Sequence, residues 1–185
     1  MPSHPANTRT DVDTSMSQRP AANEYAAYYQ QYIDRVPAGD IVNVLKDQLR
    51  STSKLLAAIP ADRHDHRYAA DRWSIKEVLG HILHVEWVFT YRALRIPRGD
   101  QTPMASMDQD LIAAGSNVAE RGLEGLIEDL HPLRSANPTL FEGFSPQLLA
   151  RTGTASGNRF SVRGLLYVIA GHELHHLGVL TERYL

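Results

Sequence analysis

The residues best equipped for chemistry lie close together near the end of the chain, in Gly171-His172-Glu173-Leu174-His175-His176. His172 and His176 are four residues apart. In a helix such positions stack on one face, with Cβ atoms about 5–6 Å apart, so two imidazoles can share one metal ion. Leu165, Ile169 and Leu180 follow the same face. Both rings are therefore expected to point inward, where a polar ring without a partner is costly. A third imidazole, His81, falls on the inward stripe of an earlier amphipathic segment, with Val78, Ile82 and Val85. His81, His172 and His176 together offer three neutral nitrogens and leave a coordination position open, as catalytic zinc sites do and closed structural ones do not. Imidazole also suits nickel, iron and copper, so the residue types do not select the metal. The competing reading is that these are core histidines bonded to backbone or side-chain acceptors.

Other groups near these positions have roles of their own. His172-Glu173-Leu174-His175-His176 matches H-E-x-x-H, in which Glu173 would be the general base of a zinc protease. Only nine residues follow His176, too few for the usual downstream third ligand and its helix. Glu173 is instead expected at solvent or behind a ligand. His84, one turn past His81, is placed to share the edge of the site. His175 is rotated away from His172 and His176, which suits a surface or supporting role. Glu86 is either a buried acceptor or part of a solvated face, and Trp73 reads as a core anchor. His64 and His66 sit in a polar loop and are expected to be solvated, and His4 to be inert.

The elements that must position the histidines are helical. Residues 1–20 are rich in Ser, Thr, Asp, Asn and Pro and read as a disordered arm; residues 21–185 form one domain. The tyrosine-rich stretch Tyr25–Tyr32 suits a helical turn or two packed outside a bundle. From the cap Asp40, the positions Ile41, Val44, Leu45, Leu49, Leu55, Leu56 and Ile59 predict a helix closing near Pro60. Ser74 and Glu77 form a capping box opening a helix to about Ile96. A third is predicted from Asp108 to about Ala136. Its glycines allow a break near residues 115–120, and Pro132 and Pro138 should kink or interrupt it. Residues 151–158 read as a loop leading to Ser161, the cap of the last helix, which runs to Tyr184. No strand is predicted. The fold class is all-α, a four-helix bundle.

Composition narrows the function classes. The chain has 185 residues, 43% hydrophobic and 22% charged, with a net charge of −2. That suits a globular domain and gives no basic footprint for nucleic acid. Arg92, Arg95 and Arg98 form only a small cluster of the kind favoured at a helix C-terminus. With no cysteine, disulfides, cysteine-ligated zinc and a cysteine nucleophile are excluded; any thiol would come from a co-substrate. No apolar run long enough to span a membrane and no secretory signal is seen, so the expected location is the cytoplasm.

Three segments carry a family resemblance. Trp73-Ser74-Ile75-Lys76-Glu77-Val78-Leu79-Gly80-His81-Ile82, Tyr91-Arg92-Ala93-Leu94-Arg95 and Gly171-His172-Glu173-Leu174-His175-His176-Leu177-Gly178-Val179-Leu180 resemble the DinB superfamily. Arg151–Asn158 is similar to its DinB-like subgroup. The resemblance covers about Tyr25 to the C-terminus. It implies an up-down-down-up bundle with a long crossover and a divalent metal, commonly zinc or nickel, on His81, His172 and His176. Two features depart from the pattern. His84 stands where an acidic residue is common, and Pro132 and Pro138 fall in a usually unbroken helix.

The resemblance also implies two classes of function. One is a metal-dependent enzyme on a small molecule. It would be either an S-transferase using a low-molecular-weight thiol such as bacillithiol or mycothiol, or a hydrolase using metal-bound water. The other is a non-catalytic, stress-associated metal-binding or protein-interaction module. A catalytic site needs a pocket over an open position, and a structural site a shell filled by protein. Homodimerisation through bundle helices is expected; nucleic-acid and membrane partners are not.

Overall fold

The computed structural model describes residues 15–185. Its helices, in chain order, are α1 (Gln30–Ile33), α2 (Ile41–Ala57), α3 (Ile75–Arg95), α4 (Gln109–Ala114), α5 (Leu123–Phe141), α6 (Pro146–Leu149) and α7 (Val162–Arg183). The long helices α2, α3, α5 and α7 are the bundle. Three of them start where the sequence supplies a cap. The Asp40 side chain accepts from the Asn43 amide, Ser161 from Gly164, and Ser74 and Glu77 close a reciprocal capping box. Each such cap satisfies an amide left without a helical partner, a contribution of about 1 kcal/mol.

The order around the bundle differs from the order in sequence. α5 packs against α2 and α3, and α7 against α3 and α2. Consecutive helices α2 and α3 therefore lie on a diagonal. Named contacts give the directions. Gln48 and Thr52 of α2 meet Ala170 and Glu173 of α7 in parallel order. Lys46 and Ser53 of α2 meet Glu142 and His131 of α5 in antiparallel order. Trp73, just before α3, and His81, in its second turn, meet Tyr184 and His172 in antiparallel order. The bundle is therefore up-down-down-up.

Two apolar clusters fill it. One gathers Leu45, Phe89, Phe141, Phe160 and Leu165, the other Leu56, Leu79, Ile82, Leu130 and Leu180. Each fully buried side chain of this size contributes about 1.5–3 kcal/mol. Between the clusters runs a polar layer: Gln48 and Thr52, His81 and Glu86, Arg134 and Asn137, His172 and Glu173, all buried.

The break that the glycines allow near residues 115–120 is present: the segment expected over 108–136 is divided into α4, a 3₁₀ turn at Val118–Glu120, and α5, with the interruption among Gly115, Asn117 and Gly122. Other expectations are corrected. Pro132 and Pro138 do not interrupt α5, which continues to Phe141. Burial of Leu126, Leu130, Leu133 and Phe141 outweighs the roughly 3 kcal/mol that an interior proline costs. The expected loop at 151–158 is mostly an antiparallel hairpin, β1 (Thr152–Ala155) and β2 (Asn158–Ser161). Ser156 and Gly157 both have positive φ, the two-residue turn that suits the twist of paired strands. His64 is buried, its Nε2 3.1 Å from the Ile59 carbonyl. Of the expected arm, residues 1–14, His4 among them, lie outside the described residues. Residues 15–20 pack on the bundle: Met16 is buried and Arg19 bonds the Ile33 and Val36 carbonyls.

The tyrosine-rich stretch lies along α7 because α7 has glycine where the two backbones meet. A Cβ on Gly171 would stand 2.0 Å from the Tyr32 carbonyl oxygen, and one on Gly164 2.8 Å from that of Glu24. Gly171→Ala should therefore destabilise the protein by about 1–3 kcal/mol or more in urea unfolding, although alanine is the better helix former by about 1 kcal/mol. A more stable variant would refute this packing.

Candidate metal centre

α3 supplies His81, and α7 supplies His172 and His176. The Nε2 atoms of His81 and His172 are 3.0 Å apart, and those of His172 and His176 3.1 Å. The three rings offer donor atoms all within 4.8 Å of one another. Hydrogen bonding alone does not satisfy this trio. Each Nε2 carries one hydrogen or one lone pair, so His172 cannot bond well to both neighbours at once. A divalent ion with nitrogens about 2.0–2.1 Å away holds them about 3 Å apart from each other. The donor set thus fits a metal. Among the described residues, no further histidine or carboxylate joins the group.

Electrostatics prepares the rings for ligation. Burial, with His84 and His175 nearby, pushes His81 down to about 4. Burial, then His81 and His175, pushes His176 down to about 3. Burial and the neighbouring histidines hold His172 well below the usual imidazole range. All three are neutral at pH 7, the form that binds metal.

Two aromatic rings steady the ligands. The Trp73 indole lies 4.7 Å from the His81 ring, and Tyr32 meets His172 edge-on at 5.4 Å. Trp73, expected as a core anchor, is a half-buried wall of the site. Cavities flank the cluster on two sides. One of about 520 Å³ is lined by His175, His176, Trp73, Asp71, Arg72 and Asp110. A narrower one of about 210 Å³ is lined by His81, His172, Tyr29, Tyr32, Phe89 and Arg92. Gln109 of α4 borders both.

The remaining candidates separate by helix face. His84 lines a different cleft with Trp87 and Asn117 rather than the edge of the cluster. His175 is half-buried against Tyr32, at 5.3 Å, and its Nδ1 has no partner. Glu86 is a buried acceptor. Glu173 is 1% exposed and not at solvent. It takes bonds from Thr52 and Arg134, while Arg134 Nε donates to both Glu86 oxygens at 2.6 and 2.7 Å and Asn137 donates to Glu86 at 2.8 Å. Burial pushes the Glu86 carboxyl up, against the lowering pull of Arg134. Glu173 is thus committed to a buried ion network and is not placed as a protease base. Tyr32, Arg92 and Gln109 were not picked out as site residues by spacing; Tyr32 was noticed only within the tyrosine-rich stretch, and Arg92 only within an arginine cluster and a family-like segment.

The family model of the DinB superfamily matches residues 45–180. No curated protein gives a significant match. Among solved structures, YfiT from Bacillus subtilis superposes with a TM-score of 0.69 at 15% identity, over 90% of this chain and 91% of that one. YfiT is described as a probable metal-dependent hydrolase with an unusual four-helix bundle topology.

Arg134→Met should leave two carboxylates buried without their cation and cost about 3–5 kcal/mol in urea unfolding. Adding Glu86→Gln and Glu173→Gln to that variant should recover part of the loss.

Proposed function

Because the chain belongs to the DinB superfamily, we propose that it is a divalent-metal-dependent enzyme acting on a small molecule, with hydrolysis as its reaction. One observation carries this reading. Three neutral Nε2 atoms converge beside two cavities, His176 in the wall of the larger and His81 and His172 in that of the narrower, with no fourth protein donor among the described residues. An open position over a cavity is what catalysis requires and what a structural ion does not. The description of YfiT as a probable metal-dependent hydrolase supports the same chemistry.

His81, His172 and His176 would hold the ion, zinc or nickel. When bound, it supplies Lewis acidity and makes a coordinated water or thiol more acidic. The chain's own residues supply the rest. Trp73 and Tyr32 fix two of the imidazoles and keep water from their faces. Asp71 and Asp110 line the larger cavity with His176 and would accept the proton of an attacking water. Arg72 in the same wall would steady negative charge that develops there. Glu173 has no part in that transfer, being turned into the bundle and held by Arg134 and Thr52.

A second reading, thiol transfer, is favoured by the pair of cavities. A co-substrate thiol and an electrophile need separate space beside one centre, and each cavity has members of the histidine cluster in its wall, His176 in one and His81 and His172 in the other. The absence of cysteine means that the thiol would be a separate small molecule.

Elemental analysis of wild type and of His81→Ala, His172→Ala and His176→Ala tests the centre. One zinc or nickel per chain is expected in wild type, with loss of stoichiometric metal in each variant. Ester hydrolysis should fall to the buffer rate on chelation and return with the ion. No uptake by wild type after reconstitution would refute the metal reading. Turnover that appears only when bacillithiol or mycothiol is added would select transfer over hydrolysis.

A further inference from the structure

Two arginines are buried in this bundle, and they are treated in opposite ways. Arg134 is 1% exposed and meets two carboxylates. Arg92 is 3% exposed and, among the described residues, has no carboxylate at ion-pair distance. Its Nη2 donates to the Ala105 carbonyl at 3.1 Å and to the Ser156 hydroxyl at 2.9 Å. Nε and Nη1 take no protein acceptor among the described residues, although a guanidinium presents five N–H groups. Its Cζ stands 4.9 Å from the Phe89 ring centroid, which recovers only part of the cost of burying a charge.

Holding the chain together does not require this charge. Both hydrogen bonds of Arg92 to described residues are made by one nitrogen to neutral oxygens, and a neutral donor would serve them. The cation faces the narrower cavity, whose walls also include His81 and His172. Arg92 and His81 are eleven residues apart on α3, a rise of about 16 Å at about 1.5 Å per residue. Side chains lean towards the helix N-terminus, so the guanidinium reaches back towards the histidines. Between the two ends stand the rings of Tyr29, Tyr32 and Phe89.

We propose that Arg92 is a substrate-binding residue that takes the carboxylate of an elongated small molecule, whose flat apolar body lies among these rings and whose far end reaches the histidine cluster. The fork of the guanidinium matches a carboxylate, and the bond is strengthened by charge on both partners. The histidine end of this inference rests on the metal-dependent reading above; the arginine end does not.

The test compares phenylacetate with its neutral isostere phenylacetamide as probes. Isothermal titration of the full chain is made in zinc-loaded and metal-free forms. Wild type should bind the carboxylate at least about tenfold more tightly than the amide in both forms, a difference of about 1.4 kcal/mol. Arg92→Gln should lose that preference while keeping its helical circular dichroism. Arg92→Met, which fills similar space without charge, gives the same readout should the glutamine variant not fold. A purely structural role for Arg92 predicts no preference in wild type. Equal affinities, absent binding of both included, overturn the proposal, as does a preference that survives in the variants. A preference seen only with zinc assigns the carboxylate to the ion and overturns the arginine assignment while supporting the metal. A preference in the metal-free form, in a protein that takes up no zinc, supports the arginine assignment and refutes the metal reading instead.

Discussion

The bundle depends on a buried cation shared by its four long helices. Arg134 of α5 meets Glu86 of α3 and Glu173 of α7, and its Nη1 reaches the Leu45 carbonyl of α2 at 3.4 Å. Asn137 and Thr52 complete the carboxylate bonding. Such a network is costly to desolvate, and removing one member leaves the others unpaired in an apolar interior. Its partners come from every side of the bundle, so it restricts how each helix can rotate. On α7 this restriction has a chemical consequence. With Glu173 turned towards α2 and α5, His172 and His176 must face α3, where His81 stands.

The histidine cluster is thus one half of a polar layer whose other half is the ion network. Apolar clusters lie on both sides of that layer. They exclude water, which keeps the imidazoles neutral. The polar layer needs the apolar one for its dielectric, and the apolar one needs the ion network for its register. The tyrosine-rich segment completes the enclosure by lying on Gly164 and Gly171 of α7. Without that close approach Tyr32 could not reach the rings of His172 and His175.

Outside the bundle proper, the hairpin and α4 shape access. The β1–β2 turn presents Ser156, which holds one nitrogen of Arg92, and Met104 pairs with the same hairpin through Thr154 and Ser156. α4 presents Gln109 where the two cavities meet. The short helix α4 has no buried residue, whereas the hairpin is anchored by Ala155 and Phe160 in the core.

The sequence alone determined three of the four long helices, because apolar periodicity and the caps Asp40, Ser74 and Ser161 are local signals; it placed the remaining one, α5, without its bounds, since no side chain caps its start. It also determined the three histidines as a group, because i, i+4 spacing and a shared apolar stripe fix the facing of a side chain on its own helix. Tertiary structure decided what depends on a partner remote in sequence. The inward turn of Glu173 needed Arg134, which nothing in its own helix marked as central. The continuity of α5 through Pro132 and Pro138 needed the leucine packing that offsets the lost hydrogen bonds. The hairpin at 152–161 was hidden because four-residue strands show too little alternation to register. The open charge of Arg92 became visible only when the acidic side chains of the described residues had been placed. Local patterns fix which way a residue faces; only the assembled bundle decides what it meets.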